Sequence, residues 1–162
     1  ELVRAHADGV ATQQPEGPLA IGGWSLGAIF AHAVAAELVR RGRTIEMLLL
    51  VDPTVLRGPA PTPDDVLREV LARGGAEVDD ALRGEAELWA AHLQAAHAYR
   101  PSPLDVPALA FFCGERPEAD VTWRALAPRI EVVPVDAGHY DVLERRHADA
   151  LIAHVRRWLG RG

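Results

Sequence analysis

The sequence predicts an α/β fold, a mostly parallel sheet with flanking helices and one helical insertion. Four short apolar runs alternate with helical stretches, which is the order of βα units. The runs are too continuously apolar for strands wetted on one face, so each strand should be covered on both sides, as in parallel sheets. Between the second and third runs, from Leu56 to Arg100, no strand pattern occurs at all.

The elements follow in order along the chain. An opening amphipathic helix carries Leu2, Val3, His6 and Val10. Leu19, Ala20 and Ile21 read as a short buried strand that runs into Gly23-Trp24-Ser25-Leu26-Gly27. Leu26 to Arg41 reads as a helix closed by Gly42. Ile45 to Val51 is the second strand and ends at Asp52-Pro53. Pro59, Pro61 and Pro63 then lead into helical patterns around Val66–Arg73 and Glu85–Tyr99, and Pro101, Pro103 and Pro107 mark the way out. Residues 56–100 are therefore expected to form a helical lid inserted at a strand end, where substrate channels belong. The third strand is Ala108 to Cys113, bounded by Pro107 and Gly114. A short helix around Val121–Ala127 and a fourth strand, Ile130 to Val135, come next. The last helix, from about Arg146 to Leu159, is expected to place Leu151, Ile152, Val155, Trp158 and Leu159 on one stripe.

Composition narrows the chemistry. The chain has 162 residues, 49% of them hydrophobic and 25% charged, which suits a globular domain with a real core. The formal net charge is −6 with no basic run, which argues against a nucleic-acid partner. No apolar run approaches the roughly 20 residues of a membrane span. Lysine is absent, which removes Schiff-base and lysine-base mechanisms. The single cysteine, Cys113, forms no internal disulfide and fits a reducing, cytoplasmic compartment.

In a parallel sheet the C-terminal strand ends share one edge, where ligands bind. Ser25, Asp52, Glu115 and His139 each follow on a strand end. Gly23-Trp24-Ser25-Leu26-Gly27 has the G-x-S-x-G form of a nucleophile elbow, in which a serine stands on a sharp strand-to-helix turn. Of the two serines, Ser25 and Ser102, only Ser25 is so placed. A serine hydroxyl needs a base to take its proton, and the base needs an acid to hold its tautomer. His139 is the one histidine in a small-residue loop after a strand, whereas His32, His92, His97, His147 and His154 fall in helical stretches. His92 and His97 do not share the i, i+4 spacing of zinc ligands, so no metal site is expected. For the acid, Asp52 and Asp120 compete, and chain order does not choose between them.

At this point the residues carry a resemblance. The chain resembles the thioesterase (product-release) domain that ends nonribosomal peptide synthetases and modular polyketide synthases, a branch of the α/β-hydrolases. The likeness rests on Gly22-Gly23-Trp24-Ser25-Leu26-Gly27, on Leu50-Val51-Asp52-Pro53, and on Tyr99-Arg100-Pro101-Ser102-Pro103 followed by Val106-Pro107. It continues through Trp123, Ala137-Gly138-His139-Tyr140 and His147-Ala148-Asp149-Ala150. It covers almost the whole chain.

The resemblance implies a partial α/β-hydrolase fold with Ser25 as nucleophile, His139 as base and Asp52 as acid. It implies release of an acyl or peptidyl chain by hydrolysis or macrocyclisation, through an acyl-enzyme. The substrate would arrive on the phosphopantetheine arm of an upstream carrier domain, with no cofactor resident in the domain itself. The oxyanion would be held by the Leu26 backbone N–H and by a second donor outside this chain, because residues 1–162 are expected to be one domain lacking its N-terminal part. Two other readings share the elbow: a general carboxylesterase or lipase-like hydrolase, and a non-catalytic fragment.

Overall fold

A computed structural model describes residues 1–74 and 78–160. Residues 75–77 of the expected lid and the terminal residues 161–162 lie outside the described residues. The chain divides into two compact units, one of residues 1–55 and 101–162, the other of residues 56–100.

The larger unit is built on a four-stranded, wholly parallel sheet in the order β1-β2-β3-β4. The strands are β1 (Leu19–Trp24), β2 (Ile45–Val51), β3 (Ala108–Cys113) and β4 (Ile130–Val135). With them run α1 (Leu2–Gln13), α2 (Leu26–Arg40), α5 (Pro117–Leu126) and α6 (Arg145–Leu159), while α3 (Pro63–Gly74) and α4 (Asp80–Ala98) form the other unit. Because strand side chains alternate, each strand feeds two cores. Ile45, Leu48 and Leu50 of β2 and Ala108, Ala110 and Phe112 of β3 pack with Ala7 of α1, Leu38 of α2 and Trp123 of α5. Leu49, Val51, Leu109 and Phe111 point the other way, toward Leu151, Val155 and Trp158 of α6.

On this second face α6 packs against the sheet. A groove of about 400 Å³ opens there between Leu49, Val51 and Phe111 of the sheet and Leu151, Ile152 and Val155 of the helix. The expected α6 stripe is also narrower than the sequence pattern implies. Leu151, Val155 and Trp158 follow the i, i+4, i+7 spacing and pack, whereas Ile152, one residue off that row, stays 46% exposed and Leu159 43%. His32 is buried in α2, where its Nε2 lies 3.3 Å from the Leu126 carbonyl oxygen. Burial pushes its pKa down, so it is a neutral core histidine.

In the smaller unit α3 and α4 pack on each other. A reciprocal cap opens α3: the Thr62 N–H donates to Asp65 Oδ2 at 2.9 Å, and the Asp65 N–H to Thr62 Oγ1 at 3.2 Å. Asp79 caps α4 by accepting from the Leu82 N–H at 2.8 Å. Leu88 and Trp89 of α4 are 60% and 55% exposed, so they are not helix core. Among the described residues no helix is long and apolar enough to cross a membrane.

Candidate active site

The parallel register sets two residues side by side. Trp24 pairs with Val51 at the last rung of β1 and β2, so Ser25 and Asp52 leave adjacent strand ends together. Each continues the ladder by one bond, the Ser25 N–H to the Val51 carbonyl at 2.9 Å and the Asp52 N–H to the Phe111 carbonyl at 2.7 Å. Both then break the strand conformation. Ser25 has φ 55 and Asp52 φ 40, and among the described residues they alone combine a side chain with positive φ. Such backbone costs on the order of 1–3 kcal/mol per residue and persists where the surroundings enforce it.

At Ser25 the enforcing contact is a close backbone approach. A Cβ on Gly23 would stand 2.1 Å from the Gly27 carbonyl oxygen, whereas one on Gly27 would meet nothing within 4 Å. Only the first glycine of the pentapeptide is therefore required by packing. Gly23→Ala should lower the unfolding free energy of the intact protein by about 3 kcal/mol or more. Gly27→Ala, in the first turn of α2, should change it by less than about 1 kcal/mol. Urea denaturation of the two variants checks the contrast.

The β4 loop delivers His139 to the same edge. Its Nδ1 lies 2.5 Å from Asp52 Oδ2. An ionised carboxylate only accepts, so Nδ1 carries the proton and Nε2 is left as an acceptor. Trp24 fixes the ring from a second side. Its indole stacks on the imidazole with centroids 5.1 Å apart and planes at 28°, and its Nε1–H donates to the His139 carbonyl at 3.1 Å. Tyr140 meets the imidazole edge-on at 5.0 Å. The His139 side chain remains 23% exposed.

Asp52 is fully buried. Its Oδ1 accepts the Cys113 N–H at 3.0 Å, and its Oδ2 accepts Arg116 Nη2 at 3.0 Å in addition to His139. The rival carboxylate, Asp120, pairs instead with Arg124 one helical turn along α5, at 2.9 Å. Of the two acids that chain order left open, Asp52 is thus the one that meets His139. On Cys113, burial first and the Asp52 charge second push the thiol up to about 11, so it stays protonated beside the pair. The Leu26 N–H sits in the first turn of α2, where helix geometry provides no intrahelical acceptor and the dipole favours negative charge.

Comparison with known families decides what kind of domain carries this edge. The profile of the thioesterase domain matches residues 1–159. The chain belongs to the thioesterase domain family.

Erythronolide synthase EryA3 of Saccharopolyspora erythraea is 30% identical over 171 residues, covering 99% of this chain and 5% of that protein. Non-reducing polyketide synthase terA of Aspergillus terreus is 42% identical over 62 residues, covering 38% of this chain and 3% of that protein. This thioesterase domain thus spans only a few per cent of the curated relatives it matches. Among solved structures it resembles the NocB thioesterase domain in covalent complex with a fluorophosphonate nocardicin G analogue, at 27% identity and TM-score 0.76. That match covers 98% of this chain and 73% of the other. It also resembles the RedJ thioesterase of the prodiginine pathway in Streptomyces coelicolor, at 26% identity and TM-score 0.73, covering 97% and 70%. As a thioesterase domain, the chain falls in a class of hydrolases acting on thioester bonds.

Two residues at this edge carry no motif of their own in the sequence. Trp24 was visible only as the variable residue of the elbow, and its partner lies 115 positions away. Arg116 sits in the loop after the third strand, beside Glu115, where no motif marks an arginine. The β3 end contributes an amide and a guanidinium. Among the described residues no group of three or more His, Cys, Asp or Glu side chains stands close enough to hold a metal ion.

Proposed function

We propose that this domain is a serine thioesterase that releases an acyl or peptidyl chain from a carrier-bound thioester. The observation that carries the reading is the buried Asp52–His139 hydrogen bond on a strand end next to Ser25, itself at a strained strand-to-helix turn. His139 Nε2 takes the Ser25 hydroxyl proton as Oγ forms a bond to the thioester carbonyl carbon. The oxygen becomes an oxyanion that accepts the Leu26 N–H. Collapse of that intermediate breaks the C–S bond, and the proton on His139 passes to the departing thiolate. The acyl-enzyme is then attacked by water, giving the free acid, or by a hydroxyl or amine of the chain, giving a ring. His139 takes the attacking proton and returns it to Ser25. Asp52 holds the imidazole in the required tautomer throughout and stabilises its cationic form.

The thiol arm is assigned to the phosphopantetheine of a carrier domain in the same polypeptide, by likeness to the polyketide synthases above. Residues 56–100 are read as a lid, because they form a compact unit of their own between two strands with prolines at both ends. The single unpaired thiol, Cys113, supports a cytoplasmic setting.

Thioester selectivity tests the proposal. The intact protein should turn over an acyl N-acetylcysteamine thioester with kcat/KM at least about tenfold above the matched oxygen ester, or about 1.4 kcal/mol of transition-state preference. Equal or reversed values would make it a general esterase.

A further inference from the structure

Arg116 is tied into the site more closely than a surface arginine needs to be. Its Nη2 reaches Asp52 Oδ2 at 3.0 Å, the oxygen that also accepts from His139 Nδ1. Its Nε donates to the Cys113 carbonyl at 3.1 Å, and the Cys113 N–H closes the ring on Asp52 Oδ1 at 3.0 Å. The backbone that aims it is fixed on both sides. Gly114 turns the chain at φ 65, and Pro117 follows directly as the first residue of α5. The guanidinium therefore enters a fully buried carboxylate from the surface, with its own side chain 39% exposed.

Electrostatics gives this contact a consequence. A buried carboxylate next to a neutral imidazole has no countercharge of its own and is costly unless a cation stands against it. Arg116 is that cation in the resting state, before His139 has taken any proton. We propose that Arg116 is a positioning residue that keeps the Asp52–His139 pair in its proton-accepting form. The inference rests on the reading of Ser25, His139 and Asp52 as the catalytic set. With Arg116 in place, the buried Asp52 carboxylate has a cation 3.0 Å away. With it removed, the pair holds a proton to higher pH, and the base form needed to activate Ser25 is lost sooner as pH falls.

Other charges around the pair do not substitute for the guanidinium. From the β1 end come Trp24 and Ser25, both uncharged, and from the β3 end come Cys113, held protonated, and Glu115. The His139 loop itself carries Asp136, Tyr140 and Asp141, and Asp141 faces Arg146 at 3.4 Å.

The test is the pH dependence of covalent labelling of the intact protein by a fluorophosphonate, a reaction in which Ser25 Oγ bonds phosphorus, fluoride leaves and His139 takes the proton. Arg116→Gln should move the midpoint of the acid limb up by about half to one pH unit. This lies below the 1–3 units typical of an arginine beside a carboxylate, because the side chain is partly solvated. One unit below the native midpoint, labelling should therefore slow by about three- to tenfold. The plateau at high pH should fall much less. Arg116→Met, which retains the apolar stem, should behave as Gln does. Arg116→Lys should restore most of the native midpoint through its charge. An unmoved midpoint in both neutral variants, or a lowered plateau equal in all three, would overturn the proposal and leave the catalytic set intact. Labelling that survives Ser25→Ala would instead overturn the underlying reading.

Discussion

Replacing Ser25 with alanine is expected to lower thioester turnover of the intact protein by about 10⁶, the loss seen when the nucleophile of a related triad is removed. The loss should appear in kcat, because the missing atom is the one proposed to bond the acyl carbon. Alanine keeps the Cβ of serine, so the contacts that hold φ 55 at this turn are unchanged. The variant should therefore fold as the native chain does and bind substrate without turning it over. Circular dichroism and a single-turnover assay for acyl-enzyme separate the two effects. Full activity in Ser25→Ala would require another nucleophile. Ser102 is the other serine, and it lies outside every strand-end turn of the sheet.

The second large effect concerns the acid. Asp52→Asn is expected to reduce kcat by roughly 10⁴, as in a related triad where the amide holds the histidine in the wrong tautomer. In Asn the atom facing His139 Nδ1 is either a donor or a weaker, uncharged acceptor, and Arg116 loses its counterion at the same stroke. Asp120→Asn should change kcat by less than about twofold. Its partner is Arg124 on the outside of α5, and such i, i+4 pairs contribute only about 0.3–0.5 kcal/mol. A collapse in Asp120→Asn with full activity in Asp52→Asn would reverse the assignment of the acid.

The fold was legible wherever burial leaves a simple trace. β2, β3 and β4 coincide with their apolar runs; β3 is buried throughout, whereas β4, at the sheet edge, is only partly buried. The apolar run of β1 ends at Ile21, but the strand continues to Trp24. Gly22 and Gly23 carry no strand signal of their own, and pairing with Leu49 and Leu50 of β2 extends the strand through them. The helix expected around Val121–Ala127 starts at Pro117. A proline in the first turn, followed by Glu118 and Asp120, is an N-terminal signature that apolar periodicity does not weigh.

Within the site, Ser25 and His139 could be singled out from local patterns. Each is the one residue of its type on a strand-end loop. The partnership of Asp52 with His139 spans 87 positions and depends on strand order, which spacing alone does not determine. The same holds for Arg116 and Trp24, whose side chains are aimed by register and loop geometry rather than by any motif. A pentapeptide pattern thus marks the strand-end serine but not the residues that surround His139.

The central claim is that Ser25 is the atom-donating nucleophile of a thioesterase. The most direct measurement is peptide mapping by mass spectrometry after the intact protein has reacted with a fluorophosphonate, the reagent class bound covalently in the NocB thioesterase domain. The account predicts one phosphonyl adduct, on the peptide containing Ser25, lost when the protein is first acylated by a thioester substrate. An adduct on Ser102 or on any other residue, or no adduct in a protein that still hydrolyses thioesters, would contradict it.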